Sequence, residues 1–134
     1  MLWKKLFILA ILVLVLTSGC IQEKLFPLYG IKYKVKVVKV IDGDTVDVIL
    51  PNGSTGRIRL LGVDTPETKP DMNRINEYDN ITDTEALTIW GREAENFTKR
   101  WLGNATVYIQ FDKKAGLYGY YGRLLAYVYT LNGC

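Results

Sequence analysis

Between residues 31 and 63 the chain runs through three short stretches of alternating apolar and polar side chains joined by two tight turns, the pattern of a β-meander. The first stretch, residues 31–41, keeps a period of two until the doublet Val37-Val38, which predicts a bulge or bend. Asp42-Gly43-Asp44-Thr45 turns it into a second strand, residues 46–50. Pro51-Asn52-Gly53 then leads into a third, residues 57–63.

Residues 69–83 are polar with few apolar anchors and read as an exposed loop. A helix follows, opened by the capping-box spacing of Thr82 and Glu85. Trp90, Ala94, Phe97 and Trp101 recur at helical spacing and are expected to face the core, and Gly103 with Asn104 closes the helix. Two further strands, residues 105–111 and 123–131, flank a Gly- and Tyr-rich loop over 113–122. Three strands, a helix and two strands is the order of a five-stranded OB-type β-barrel, mostly β with one main helix.

Composition narrows the chemistry. The 134 residues contain no histidine, which excludes Ser-His and Cys-His catalysis and imidazole-bound metals. Cys20 and Cys134 are the only cysteines, too few for a structural zinc site or a disulfide framework. Carboxylate, arginine, tyrosine and lysine chemistry remains, with any metal held by oxygen.

The first residues read as an address. Lys4 and Lys5 precede an apolar run over residues 6–16. That run is about 16 Å of helix, roughly half a bilayer core, as in a signal peptide. Thr17-Ser18-Gly19-Cys20 resembles a lipoprotein processing site with Cys20 lipidated, although Thr17 stands where a large aliphatic residue is usual. The alternative is an uncleaved short anchor. The expected division is a signal peptide over 1–19, a lipid-anchored linker over 20–32 and a domain over 33–134, outside the cytoplasmic membrane or secreted. Without Lys4 and Lys5, 15 cationic side chains face 14 anionic ones, so a basic global field is not available. Lys32, Lys34 and Lys36 share one face of the first strand, which reads as its solvated outer side.

The chemistry concentrates at strand ends. Asp42, Asp44, Asp64 and Glu67 offer hard oxygen ligands and a candidate base, and Arg59 and Arg123 offer two guanidinium groups. The inventory suits metal-assisted attack on a phosphodiester. Taken singly, each has a plainer reading: Asp44 as a hairpin residue, Arg59 as an outward strand residue like Arg57, Glu67 as a loop glutamate after Pro66.

Three segments, Ile41-Asp-Gly-Asp-Thr-Val46, Arg59-Leu-Leu-Gly-Val-Asp-Thr-Pro-Glu-Thr68 and Tyr121-Gly-Arg-Leu-Leu-Ala-Tyr-Val-Tyr129, resemble in order and spacing the hallmarks of the staphylococcal nuclease (thermonuclease) family. The resemblance covers residues 34–132. It implies a Ca²⁺ ion held by Asp44, Asp64 and the backbone carbonyl of Thr65, with Glu67 orienting or deprotonating the attacking water. It also implies that Arg59 and Arg123 grip the phosphate, with Tyr121 beside the phosphate or a base. The expected activity is Ca²⁺-dependent hydrolysis of DNA and RNA by a monomer tethered to the membrane through its N-terminal lipid or signal anchor. The alternative is an OB-fold module that binds single-stranded nucleic acid without cutting it. Three departures stand out. Tyr120 replaces a frequent lysine, and the loop after Glu67 is longer and more acidic, with Asp71, Glu77, Asp79 and Asp83. The family also continues past Cys134 through a short strand segment and two helices, so apolar surface is expected to be exposed.

Overall fold

A computed structural model of the chain describes residues 26–131; the leader, Cys20 and Cys134 lie outside them. Five strands, β1 (Lys32–Val40), β2 (Thr45–Ile49), β3 (Thr55–Leu60), β4 (Thr106–Gln110) and β5 (Leu124–Thr130), and one α-helix, α1 (Thr84–Leu102), follow the expected order. The strands close into a barrel in the order β1-β2-β3-β5-β4. Every pairing is antiparallel except β3 with β5, which α1 and β4 separate in the chain.

Strand periodicity decides what is inside. Val35 and Val37 of β1, Val46 and Val48 of β2, Ile58 of β3, Val107 and Ile109 of β4, and Leu124 and Ala126 of β5 fill the barrel. Each fully buried Val, Leu or Ile contributes about 1.5–3 kcal/mol by leaving water. Their neighbours in sequence necessarily point out, so Lys32, Lys34, Lys36, Arg57, Arg59, Tyr108, Tyr127 and Tyr129 line the barrel's exterior. At the doublet, the β1–β2 register slips between Val37 and Lys39, which leaves Val38 unpaired and exposed as the predicted bulge. The segment before β1 also lies on the barrel. Phe26 packs edge-on against Tyr33 and Phe111 at 5.0 and 5.9 Å between ring centroids, and the Gly30 N–H donates to the Phe111 carbonyl.

The helix differs from expectation in two respects. Its N-cap is Asp83, whose carboxylate accepts from the Glu85 and Ala86 N–H groups, and not Thr82. A carboxylate at this position also complements the helix dipole. The aromatic stripe is the larger correction: Trp90, Phe97 and Trp101 are each 60% exposed or more. The buried face is instead Leu87, Thr88, Gly91, Thr98 and Leu102, about one residue around the helix. Small side chains let α1 approach backbone closely. The Thr98 hydroxyl donates to the Gly43 carbonyl at 2.6 Å, and a Cβ on Gly91 would stand 2.6 Å from the Pro66 carbonyl oxygen.

β3 ends at Leu60, short of the expected Val63, because the chain turns at Leu61 and Gly62. The long loop that follows is pinned at one point. Asn73 is buried, accepts from the Glu67 N–H at 2.8 Å, and donates to the carbonyls of Glu67 and Lys69 and to the Thr88 hydroxyl. A short 3₁₀ turn, Pro70–Met72, delivers it.

Two substitutions test this anchoring. Asn73→Ala strands the part-buried Glu67 N–H and is expected to cost about 1–3 kcal/mol in urea unfolding. Gly91→Ala gains about 1 kcal/mol of helix propensity but drives a methyl into backbone, and overpacking costs about 1–3 kcal/mol. A lower melting temperature is therefore expected, and a raised one would show that the loop yields freely.

Candidate active site

Strand register brings the key residues together. Thr45 pairs with Arg59 across β2 and β3, and Arg59 pairs with Leu125 across β3 and β5, two residues beyond Arg123. All three project outward at one end of the barrel, where the Asp42-to-Thr45 turn and the loop from Leu61 to Glu67 converge. Gly43 makes the convergence possible, since a Cβ there would stand 2.7 Å from both the Ala94 Cβ and the Thr65 hydroxyl.

Asp44 is the centre. It is 5% exposed, and its Oδ2 meets Arg59 Nη1 at 2.6 Å while accepting from the Thr65 N–H and hydroxyl, each at 3.1 Å. Its Oδ1 accepts from the Thr45 hydroxyl at 2.9 Å. A buried carboxylate with four partners is compensated, where an unpaired one would be expensive. Arg59 bridges onward, donating to the Val63 carbonyl at 2.7 Å and to Asp64 Oδ1 at 2.7 Å. Asp64 is itself largely open to solvent.

On the other side, Arg123 Nη1 donates to the Thr45 hydroxyl at 3.3 Å. Its Nε is buried and finds no acceptor among the described residues, and no carboxylate there pairs with it. The result is a chain of contacts, Arg123–Thr45–Asp44–Arg59–Asp64. Tyr121 adjoins it, with its ring centroid 5.7 Å from the Arg123 guanidinium carbon, 89% exposed and held at φ 63°.

The surrounding carboxylates feel one another. Burial raises the Asp42 carboxyl above its ordinary range; the Asp44 N–H offsets part of this and the Asp44 charge adds to it. Burial also raises Glu67, reinforced by the charges of Asp42 and Asp44 and opposed by Arg123. Tyr78, from the long loop, is pushed up to about 12 by burial and by the charges of Asp64, Glu77 and Asp44. The site thus has an excess of negative field that Arg59 does not cancel.

Among the described residues no three carboxylates are close enough to enclose a cation by themselves. The expected donor set is different: two carboxylates, Asp44 and Asp64, and one backbone carbonyl. Both carboxylates reach the same guanidinium, one at each terminal nitrogen. Their all-oxygen character and the surplus negative field fit a hard divalent cation that keeps several waters.

Asp44, Arg59, Asp64, Thr65 and Arg123 are thus gathered as the sequence suggested, with Glu67 close enough to feel Asp44 and Arg123. Sequence reading missed Asn73, Tyr78 and the relay role of Thr45. Thr45 lay inside the Asp-Gly-Asp-Thr motif and its position before an alternating strand was the available signal. Asn73 and Tyr78 lie in a polar stretch with no periodicity to mark them.

Similarity to known proteins agrees with this geometry. Residues 57–133, more than half of the chain, match the family described as staphylococcal nuclease homologue. The chain is 48% identical over 104 residues to an uncharacterized protein of Methanocaldococcus jannaschii, covering 75% of this chain and 50% of that protein. It is 39% identical over 94 residues to the thermonuclease of Staphylococcus hyicus, covering 70% and 47%. With the thermonuclease of Staphylococcus intermedius it shares 37% over 128 residues, covering 91% and 66%. The chain spans about half of the first two relatives and 66% of the third. With the barrel, its motifs and these similarities in agreement, the chain belongs to the family of staphylococcal nuclease homologues.

Proposed function

We propose that this protein is a Ca²⁺-dependent phosphodiesterase that hydrolyses DNA and RNA. The observation that carries the reading is Arg123: a half-buried guanidinium with an unmatched Nε, beside Arg59 and with no carboxylate of its own. A cation so placed calls for an anion from outside, and a phosphate is the anion that two forked guanidiniums match.

The roles follow from position. Arg59 and Arg123 bind the non-bridging phosphate oxygens and stabilise the charge that accumulates as the water oxygen adds to phosphorus. Glu67 orients that water and accepts its proton, and the bond from phosphorus to the sugar 5′-oxygen breaks, the leaving oxygen taking a proton from solvent. Thr45 holds Arg123 toward Asp44, and Asn73 fixes the backbone that carries Glu67. Asp44, Asp64 and the Thr65 carbonyl would hold Ca²⁺, which supplies a hard positive charge and a site where water is acidified. Tyr121 offers an exposed ring beside Arg123 for a base. The thermonuclease names of two relatives support this reading. Export as a lipid-anchored monomer, with Cys20 as the modified residue, is part of the same proposal and rests on the basic-apolar leader and Thr17-Ser18-Gly19-Cys20.

The test is cleavage of labelled single-stranded DNA by the full chain in mild detergent, with Ca²⁺ or with EGTA. Cleavage should require Ca²⁺. Arg59→Ala should lower kcat by about 10²–10³, as for loss of one transition-state donor. Arg59→Lys should recover little of it, because an ammonium does not reproduce the fork. Binding without cleavage under all these conditions would leave a nucleic-acid-binding module as the correct reading. For the lipid anchor, mass spectrometry of the membrane fraction should find the mature chain beginning at an acylated Cys20; an unmodified Cys20 in an intact leader would sink it.

A further inference from the structure

We propose a second nucleic-acid contact on this molecule, a lysine and tyrosine face on the exterior of β1, β4 and β5 that seats single-stranded nucleic acid away from the cleavage centre. The register places its members side by side. Lys32, Lys34 and Lys36 of β1 lie opposite Gln110, Tyr108 and Thr106 of β4. Tyr108 and Gln110 in turn lie opposite Tyr129 and Tyr127 of β5. Because Val35, Val37, Val107, Ile109 and Ala126 point into the core, all of these share the outer face.

The three ammonium groups recur every second residue, roughly 6.8 Å apart along the strand, a repeat of the same order as that of phosphates in an extended single strand. They are solvent-exposed, and none of the three forms an ion pair among the described residues. Asp47, the carboxylate on the neighbouring strand β2, is taken up by Arg57 at 2.8 Å. Beside the lysines lies a hollow of about 420 Å³ bounded by Tyr29, Gln110, Tyr127 and Tyr129. Of its lining residues only Asp112 is acidic, and Lys113 stands next to it. The hollow is preorganised. The Tyr129 hydroxyl donates to Gln110 Oε1 at 2.9 Å, Gln110 Nε2 donates to the Gly30 carbonyl at 2.8 Å, and Lys32 Nζ sits 3.9 Å from the Tyr129 ring centroid. With Tyr129 covered by Lys32, the rings left to stack are Tyr29 and Tyr127, 45% and 40% exposed.

A row of cations beside stacking rings matches a chain of phosphates whose bases are free to leave their partners, which favours a single strand over a duplex. An anionic membrane would be met by a convex apolar surface, and here the aromatic part is concave and carries hydroxyls. The face also leads to the cleavage centre. Arg123 immediately precedes β5, and Tyr127 follows it by four residues on the same side, about 13 Å away in extended chain. A strand seated on the face can therefore run along β5 to Arg123; this continuation rests on the nuclease reading, whereas binding to the face does not.

The test is fluorescence anisotropy of a labelled oligothymidylate of about 15 nucleotides, within the usual site sizes, with the full chain in EDTA over a salt series. Replacing Lys32, Lys34 and Lys36 together by Gln should weaken binding and flatten the slope of log K against log salt by about 2. Tyr127→Ala should weaken it about tenfold, the loss of one stacked base. Both variants should hydrolyse a small chromogenic phosphodiester at the wild-type rate while losing efficiency on long DNA. Unchanged affinity and slope in the lysine variant would overturn the proposal. So would unchanged oligonucleotide binding with lost retention on phosphatidylglycerol vesicles, which would assign the face to a membrane. Lost oligonucleotide binding in a chain that hydrolyses nothing would sustain this face and remove the nuclease reading.

Discussion

The ion pair between Asp44 and Arg59 is where three parts of the chain become one site. Asp44 comes from the turn into β2, Arg59 from β3, and their further partners, Val63 and Asp64 for Arg59 and Thr65 for Asp44, from the loop beyond. A carboxylate buried to this degree needs its partners, because removing one from such a pair leaves a charge in a medium that solvates it poorly. The same contacts that make Asp44 affordable inside the protein also fix the loop, and the loop carries Glu67. Fold and site are therefore not separable here: weakening the pair loosens the turn, the end of β3 and the loop that carries Glu67 together.

The barrel was legible because its driving force is periodic. Alternation in residues 31–63 and again in 105–111 and 123–131 reports which side chains face inward, and burial of Val35, Val37, Val46, Val48, Ile58, Val107 and Ile109 follows it. The candidate site was legible for a related reason, since Asp44, Arg59 and Arg123 sit at or beside ends of those strands and Asp64 follows β3 closely. Helix α1 misled because the middle of its buried face, between Leu87 and Leu102, is built from small groups. Gly91 and Thr98 carry little apolar signal, yet they allow close contact with the Pro66 and Gly43 backbone, whereas Trp90, Phe97 and Trp101 carry a strong signal and lie outside. A hydrophobic stripe locates a face only when the contact is made by bulk. Asn73 was invisible for the opposite reason: one amide satisfies four groups at once, and nothing in its neighbours announces that.

The exposed aromatics have a counterpart on the barrel. Phe97 and Trp101 border an apolar groove of about 680 Å³ shared with Leu60, Val63 and Val128, directly behind Thr65. The groove contains none of the site's arginines or aspartates but is lined by Thr65, so this apolar concavity and the site are neighbours that share one residue.

The parallel pairing of β3 with β5 has a consequence for how the molecule comes into being. Arg59 lies in β3 and Arg123 at the entry to β5, strands that touch in space but are separated in sequence by the long loop, α1 and β4. Closing that pair requires a large loop to be ordered before the contact returns any stabilisation, which makes it an intrinsically late and slow event. During synthesis, the turn, β3 and Glu67 emerge well before β5. Until β5 zips in, the emerging chain holds Asp44 and Arg59 without the second guanidinium, and the barrel's apolar interior is open along one seam. Arrival of the second guanidinium and closure of the core are thus one step.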